Sequence, residues 1–467
     1  MSFHPGLYFL YLNVFIIMGC NSSNESYNQE SQWTEKQITS GGKGHFINPV
    51  QAFSPDNNWI VYDTRNDGGH IGRTGSIERV NINTGKTETV YKTEMQTEFG
   101  PGVGAVAYHP IEDKVVFIHG IRNSDRDKPY DLTRRTGVMV DLTEPGEGVF
   151  IDARDVTEPF SSGALRGGTH AHSWSADGSW ITFTYNDEVV AKAANADNGL
   201  KDLRLVGVSA PWGRVEIEPD KSGENNSGSM FSMLVTEVTE NPRPGSDEIE
   251  KAYEDGWIGT NGYVKSNGTR QKRAIAFLGD VISEKGEKVT EVFVVDVPDE
   301  YKDLESQQQL KGTSQSRPLP LDGISQRRVT YSTNRKFPGV QGPRQWMKST
   351  PDGTLLFFMM KDNDGSIQIY SVPTIGGDIK QITNNAFSIE TSFDIDGKGK
   401  RITYGAQGRI YITSIDTGVT KCVLENVDNK YSELHSVQWS RNGEIIAYNR
   451  KVAQGDTSYF QIFTLAK

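Results

Sequence analysis

Cysteine is nearly absent: Cys20 and Cys422 are the only two in 467 residues. That excludes a disulfide scaffold, and if Cys20 is consumed in processing, Cys422 is the only thiol left and reads as a small core residue. A long apolar run is also lacking. The stretch Leu7 to Met18 is well short of the roughly 20 residues that span a bilayer as a helix. Lysine and arginine form no long block, and the formal charge is -11, which argues against nucleic acid as the main partner. A local arginine cluster can still override that balance toward an anionic sugar. Long amphipathic helices are missing too. Only Asp247 to Tyr253 reads as a short helix, with Ser246 as N-cap and Asp247 and Glu248 in its first turn. What the chain does have is 48 glycines, 10% aromatics and strand-like runs such as Trp59-Ile60-Val61-Tyr62. The class is all-β.

The apolar run ends in Ile17-Met18-Gly19-Cys20, which resembles a bacterial lipobox with Cys20 as the lipidated residue. The expected organisation is a lipoprotein signal peptide over 1–20, a polar tether rich in Ser, Asn and Gln over 21–40, and one folded domain over 41–467. The only membrane contact would be the lipid, holding the protein at the outer membrane, in the periplasm or at the cell surface. Met1 to Gly6 carries no Lys or Arg, which keeps a secreted or inner-membrane form open as the alternative.

A turn recurs along the chain: an aromatic or small residue, then Ser/Asp-x-Asp/Asn-Gly, then an apolar strand. Copies stand at Phe53-Ser54-Pro55-Asp56, Tyr108-His109-Pro110, Trp174-Ser175-Ala176-Asp177-Gly178, Ser349-Thr350-Pro351-Asp352-Gly353, Phe393-Asp394-Ile395-Asp396-Gly397 and Trp439-Ser440-Arg441-Asn442-Gly443. The later spacings are those of one four-stranded propeller blade. The long interval from Asp177 to Asp352 holds two blades with insertions, Arg273 to Val297 supplying one strand pair. The expectation is a single seven-bladed β-propeller, with six or eight blades as the margin.

These Ser-Pro-Asp-Gly copies resemble the repeats of TolB-type propellers. The chain is similar over nearly its whole mature length to the YidR-like propeller family, through Ile77-Glu78-Arg79-Val80-Asn81, Phe117-Ile118-His119-Gly120, Ala164-Leu165-Arg166-Gly167-Gly168-Thr169-His170, Phe183-Thr184-Tyr185-Asn186-Asp187, Pro244-Gly245-Ser246-Asp247-Glu248-Ile249 and Pro343-Arg344. That resemblance implies the fold and little chemistry.

The turn also serves as a ruler. With Trp174 as position zero, His170 lies at minus four and His172 at minus two; both would face one side of a regular strand. The same offset of minus four gives Gln345 in the blade of Ser349 and His435 in the last blade. Equivalent positions on innermost strands ring the central channel, so His170, His172, Gln345 and His435 are the candidate ligands of a divalent cation such as manganese, zinc or nickel. A metal-free polar pocket and plain packing stay open as alternatives. Arg166 and Arg344, predicted at the channel mouth, are candidates for ligand binding, since guanidinium groups hold carboxylates in bidentate fashion. Tyr185 and His172 are further candidates for proton transfer. Arg134, Arg135, His45, His119 and Trp346 are candidate substrate contacts, and His109 reads as a structural hydrogen-bonder within its turn.

Cation, imidazoles and arginine around a channel suit an acidic oligosaccharide. Neutralising a uronate carboxylate stabilises the enolate-like state formed as the C5 proton leaves. The C4 substituent then departs, as a sugar from a lyase or as water from a dehydratase, leaving a 4,5-unsaturated uronate. The set is similar to that of oligogalacturonate lyases, propellers whose metal is held by three His and one Gln. A catalytic role for Arg166 and Arg344 is what that resemblance implies. Here residue 167 is Gly where that family carries its Gln, and the blade order differs. The rival expectation is a non-enzymatic TolB-like scaffold, since fold cannot decide between the two. A hydrolase lacks paired carboxylates or a nucleophile elbow.

Overall fold

The turns of the repeat that begin with Ser or Thr close on themselves through the same bonds. The hydroxyl of Ser54 donates to Asp56 Oδ1 at 2.6 Å and accepts the Trp59 N–H at 3.0 Å. Ser175 and Asp177 repeat this at 2.6 Å, with Trp180 N–H at 3.0 Å. Ser440 and Asn442 do so again at 2.6 Å, with Ile445 N–H at 2.9 Å. A short side chain that satisfies its own turn in this way reverses the chain without a sheet partner. Gly178 is in the left-handed region (φ 72°), and a Cβ there would meet His109 Nε2 at 2.1 Å. His109 uses that close approach: Nε2 lies 3.0 Å from the Gly178 carbonyl, and Nδ1 accepts the N–H of Glu112 at 2.8 Å. It is the structural residue expected of it.

The computed structural model describes residues 33–194, 200–425 and 433–467, together with Met1. Cys20, the signal segment 1–20 and most of the 21–40 tether lie outside the described residues. Met1–Gln32 and Trp33–Lys467 are separate units; the second is a seven-bladed β-propeller. Blade 1 comprises Trp59–Asp63, Ser76–Asn81 and Thr87–Lys92, with an inner edge bridged at Phe46–Asp63 and Phe53–Ile60. The innermost strands of the next blades are Val103–Tyr108 in blade 2, Gly167–Trp174 in blade 3, Ala252–Trp257 in blade 4, Lys348–Ser349 in blade 5, Asp394–Ile395 in blade 6 and Leu434–Trp439 in blade 7. Each starts a four-stranded antiparallel sheet. Blade 7 takes its outer strand from the start of the unit: Thr34–Gln37 pairs with the last strand, from Thr34 opposite Ala466 to Gln37 opposite Phe463. The propeller therefore begins ahead of residue 41, and the last part of the expected tether is its closing strand.

Blades pack face to face through apolar layers. Trp180, Val206, Phe231, Ile275, Phe277 and Phe293 join blades 3 and 4; Ala276, Val292, Val294, Leu356 and Phe358 join blades 4 and 5. Strands buried on both faces carry β-branched and aromatic residues almost continuously, as Glu291-Val292-Phe293-Val294-Val295 does. Cys422 is half-buried on the outer strand of blade 6, its thiol pushed up to about 11 by burial.

Two expectations change. Asp247 to Tyr253 is not a helix. Ala252 and Tyr253 pair with Gly279 and Leu278 on the inner edge of blade 4, and sheet pairing overrides the local acidic first-turn pattern. The α-helix among the described residues is Glu188–Ala194. The second change concerns strand regularity. The innermost strands of blades 2, 3, 4 and 7 each contain a bulge, with Ala105, Ala171, Glu254 and Ser436 at φ between 54° and 58°. All four stand three residues before the aromatic of the turn. Four non-glycine residues in so rare a conformation at one repeat position make the bulge a feature of the repeat.

Removing residues 1–37 is expected to lower the melting temperature by roughly 5 °C or more, the scale of a few kcal/mol in a large domain. Removing 1–32 leaves the closing strand in place and should leave melting unchanged; circular dichroism on both truncations checks this.

Candidate functional site

The bulges shape one mouth of the channel. Side chains alternate across a regular strand, but a bulge sets two residues against one and breaks that alternation. In blades 3, 4 and 7 the left-handed residue and the one before it both line the channel, and in blade 2 the left-handed Ala105 does so alone. His170 and Ala171, Tyr253 and Glu254, and His435 and Ser436 all line a cavity of about 530 Å³. Its wall is completed by Arg65, Arg135, Arg204, Lys251, Arg344, Trp346, Tyr130, Phe46 and Glu390, among others.

The cavity is cationic in a protein of net charge -11. Five basic side chains line it against two glutamates. Arg65 is neutralised by Asp63, to which Nε and Nη2 both donate at 2.8 Å. Arg344 donates from Nε to Glu254 at 3.1 Å and lies over the Trp346 ring at 4.6 Å. Arg135 and Arg204 make no ion pair among the described residues. Arg135 is 2% exposed; Nη1 donates to the Tyr130 hydroxyl at 3.3 Å, and its buried Nε has no partner. Arg204 donates to Asn186 Oδ1 at 3.2 Å. Burial, and then the charges of Arg135 and Arg344, lower the Arg204 pKa. Burial followed by Arg135, Arg344 and Arg204 holds His170 well below 6.5, so its imidazole is neutral. Burial lowers Lys251 and raises Glu254. Desolvated guanidiniums without counter-ions are costly unless a ligand anion completes them.

Of the residues singled out in the sequence, His170, His435, Arg135, Arg344 and Trp346 reach this cavity. His172 does not. The left-handed Ala171 between it and His170 turns the second imidazole into the contact between blades 2 and 3. There it is fully buried, with Nε2 2.9 Å from Thr169 Oγ1. Gly137 makes room for it, since a Cβ at that position would stand 2.7 Å from Nε2. Gln345 is buried, its Oε1 accepting the Met359 N–H at 2.7 Å. Arg166, expected at the channel mouth, is 1% exposed and ties blade 3 to the long connection of blade 4. It pairs with Asp187 at 2.7 Å and donates to the Thr313 and Ser316 carbonyls at 2.6 and 2.9 Å. Tyr185 accepts the Arg166 N–H at 3.1 Å, deep in the core. Arg134 binds Glu224 at 3.0 Å and Asn123 at 2.6 Å. His45 packs on Tyr62, and His119 bonds Tyr91 at 3.0 Å; burial holds both near 4.

Sequence reasoning missed Arg65, Arg204, Lys251, Tyr253, Glu254 and Glu390. Tyr253 and Glu254 sit at minus four and minus three from Trp257, so the ruler would have found them. The turn after Trp257 lacks the Ser-x-Asp-Gly signature, and the segment was read as helix. Arg204 and Lys251 precede strands of blades 3 and 4 with no motif to mark them.

The four candidate metal ligands do not meet at one point. His172 and Gln345 are turned away and engaged, His435 Nε2 lies 2.7 Å from Glu433, and three guanidiniums act on His170. Among the described residues, no group of three or more His, Cys, Asp or Glu is placed to hold an ion. These residues do not fit a four-ligand cation site.

Comparison with known proteins adds three findings. A family model described as "Protein of unknown function (DUF3748)" matches residues 102–225. "Uncharacterized protein YidR" of Escherichia coli (strain K12) is 37% identical over 417 residues, 88% of this chain and 94% of that one. Among solved structures, an oligogalacturonate lyase in complex with manganese has a TM-score of 0.50 at 10% identity, over 92% of each chain. A putative TolB from Agrobacterium tumefaciens has a TM-score of 0.37 at 13% identity, over 79% of this chain and 95% of that one. At this identity the lyase likeness is one of fold. No helix among the described residues is long and apolar enough to cross a membrane.

Arg166→Met should destabilise the fold by about 3–5 kcal/mol in denaturant titrations, because it strands a buried Asp187 carboxylate. His119 is neutral in the fold with a pKa of about 4, against 6.5 when unfolded. Its contribution is complete above 6.5 and is lost as pH falls toward 4. The stability gap between the native chain and His119→Asn should therefore narrow over that window in thermal melts; a constant gap would contradict neutral burial.

Proposed function

The chain belongs to the YidR family, and we propose that its channel binds a uronate-containing acidic oligosaccharide and eliminates the C4 substituent to leave a 4,5-unsaturated uronate. The observation that carries this is the grouping of Arg135, Arg204 and Arg344 around a neutral His170 in one cavity. Bidentate guanidinium contacts to a carboxylate are strong and directional, and in a desolvated site they favour the charge that builds up as the C5 proton leaves.

His170 is the proton acceptor in this scheme. Its Nδ1 is 3.4 Å from Thr184 Oγ1, which leaves Nε2 for the substrate. Before binding, the guanidiniums depress its basicity. A bound carboxylate offsets their charge and raises the imidazole pKa at the moment a base is needed. Trp346 and Tyr253 supply flat apolar surface for a sugar ring, and Arg344 is held by Glu254 and Trp346. A divalent cation (manganese, zinc or nickel) would neutralise the same carboxylate, but the arginines occupy that role and the four expected ligands do not assemble. Lipid attachment at Cys20 would place the channel in the periplasm or at the cell surface, anchored to the outer membrane, where acidic oligosaccharides arrive.

A binding scaffold is the second reading. Both cavity glutamates are engaged, Glu254 by Arg344 and the Gln345 N–H, and Glu390 by the Gln407 N–H. That removes both cavity carboxylates as proton acceptors.

Turnover is read by the ultraviolet absorbance of the conjugated product. His170→Asn should cut kcat about 100-fold or more while binding persists, Arg204→Met should weaken binding and turnover together, and EDTA should change neither. Binding with a flat absorbance trace across pectic, alginate-type and sulfated uronate oligomers would favour the scaffold.

A further inference from the structure

The cavity has one mouth. In the bulged blades its lining stops at the bulge, where Ala105, His170, Ala171, Tyr253, Glu254, His435 and Ser436 face it, and in blade 6 it runs on through Thr391 and Ser392 toward the turn at Phe393. Below that level side chains cross the channel from blade to blade, while the turn aromatics Phe53, Tyr108, Trp174 and Trp439 pack into the apolar layers between neighbouring blades.

Two side chains cross between blades that are not neighbours. Gln51 of blade 1 reaches over blade 2 to blade 3, where its Nε2 donates to the Trp174 carbonyl at 2.8 Å and its Oε1 accepts the Trp174 N–H at 2.9 Å. Arg441, in the turn of blade 7, donates to the Phe53 carbonyl of blade 1 at 3.1 Å. It also donates to the Tyr108 and His109 carbonyls of blade 2 at 3.3 and 3.2 Å. Backbone groups at the turns are thus satisfied across the channel instead of by water. Gln51 itself has φ 52°, a conformation that is costly without such bonds.

Given the acidic-oligosaccharide reading, on which this depends, we infer that the channel takes chain ends: a terminal unit enters through the single mouth, and the middle of a long chain is refused. A chain cannot thread a channel closed at its far end. The guanidiniums stand in the wall of a closed cavity, so a unit must leave its neighbours on one side to reach them. Gln51 and Arg441, far from any contact with ligand, set this selectivity.

The test is binding and turnover of the full chain with uronate oligomers of defined length, from tetramer to dodecamer, at equal molar concentration of chains. Binding is followed by the fluorescence of Trp346 against a Trp346→Phe control. End-on recognition predicts one affinity per chain at every length. Mid-chain recognition multiplies the available sites, so affinity per chain would rise about threefold or more across the series, and that rise would overturn the inference even if unsaturated product forms. Length-independent binding without product supports chain-end recognition and removes the elimination reaction. No binding at any length overturns both.

Discussion

One left-handed residue in the innermost strand, three positions before the aromatic of the turn, governs this channel. At Ala105, Ala171, Glu254 and Ser436 the backbone takes a conformation that sheet residues rarely adopt, and the strand bulges. The bulge breaks the alternation of side chains part-way down the inner edges of blades 2, 3, 4 and 7. Above it, side chains enter an open mouth; below it, they enter contacts between blades or bonds across the channel. His170 and His172 differ by two residues in sequence and by an entire environment in space, because Ala171 lies between them.

The electrostatics follow from that geometry. A protein with 60 acidic and 49 basic side chains reserves five of the basic ones for a single cavity. Two of them are committed to carboxylates within the protein, Arg65 to Asp63 and Arg344 to Glu254. Arg135 and Arg204 are not. Holding those guanidiniums together costs free energy, visible in the lowered pKa of Arg204 and the neutral imidazole of His170. An anion removes that cost on binding, and in a desolvated cavity the gain is larger than at an exposed surface. In the proposed elimination the same pairing would raise the basicity of His170 when the substrate carboxylate binds.

The fold was legible in the sequence because its signal is local. Each Ser/Thr-x-Asp/Asn turn is satisfied by its own side chains, so it can be recognised without knowing what packs against it, and the spacing of those turns counts the blades. The central strand pair of blade 4 was legible within Arg273 to Val297, but its inner strand escaped because the turn after Trp257 lacks the motif and acidic residues there mimic the start of a helix. The site was legible in part. His170 and His435 came from the ruler, which holds as far as the bulge. His172 fell on its far side, where strand periodicity no longer predicts direction, and Gln345, in a blade without the bulge, is turned away from the cavity to accept the Met359 N–H. Arg166 has the chemistry of a ligand-binding residue, but Asp187 and two carbonyls claim it, and nothing local to Arg166 reveals partners more than 100 residues away. Arg204 and Lys251 meet Arg344 only because the ring of blades turns all three into one cavity.

The central claim is that Arg135, Arg204 and Arg344 form one carboxylate-binding group in the channel. A crystal structure of the protein soaked with a uronate disaccharide tests it most directly. The account predicts the carboxylate of one unit within hydrogen-bond distance of at least two of these three guanidiniums, with its C5 facing His170. A disaccharide bound elsewhere, or one whose carboxylate is held by a metal ion away from these arginines, would contradict it.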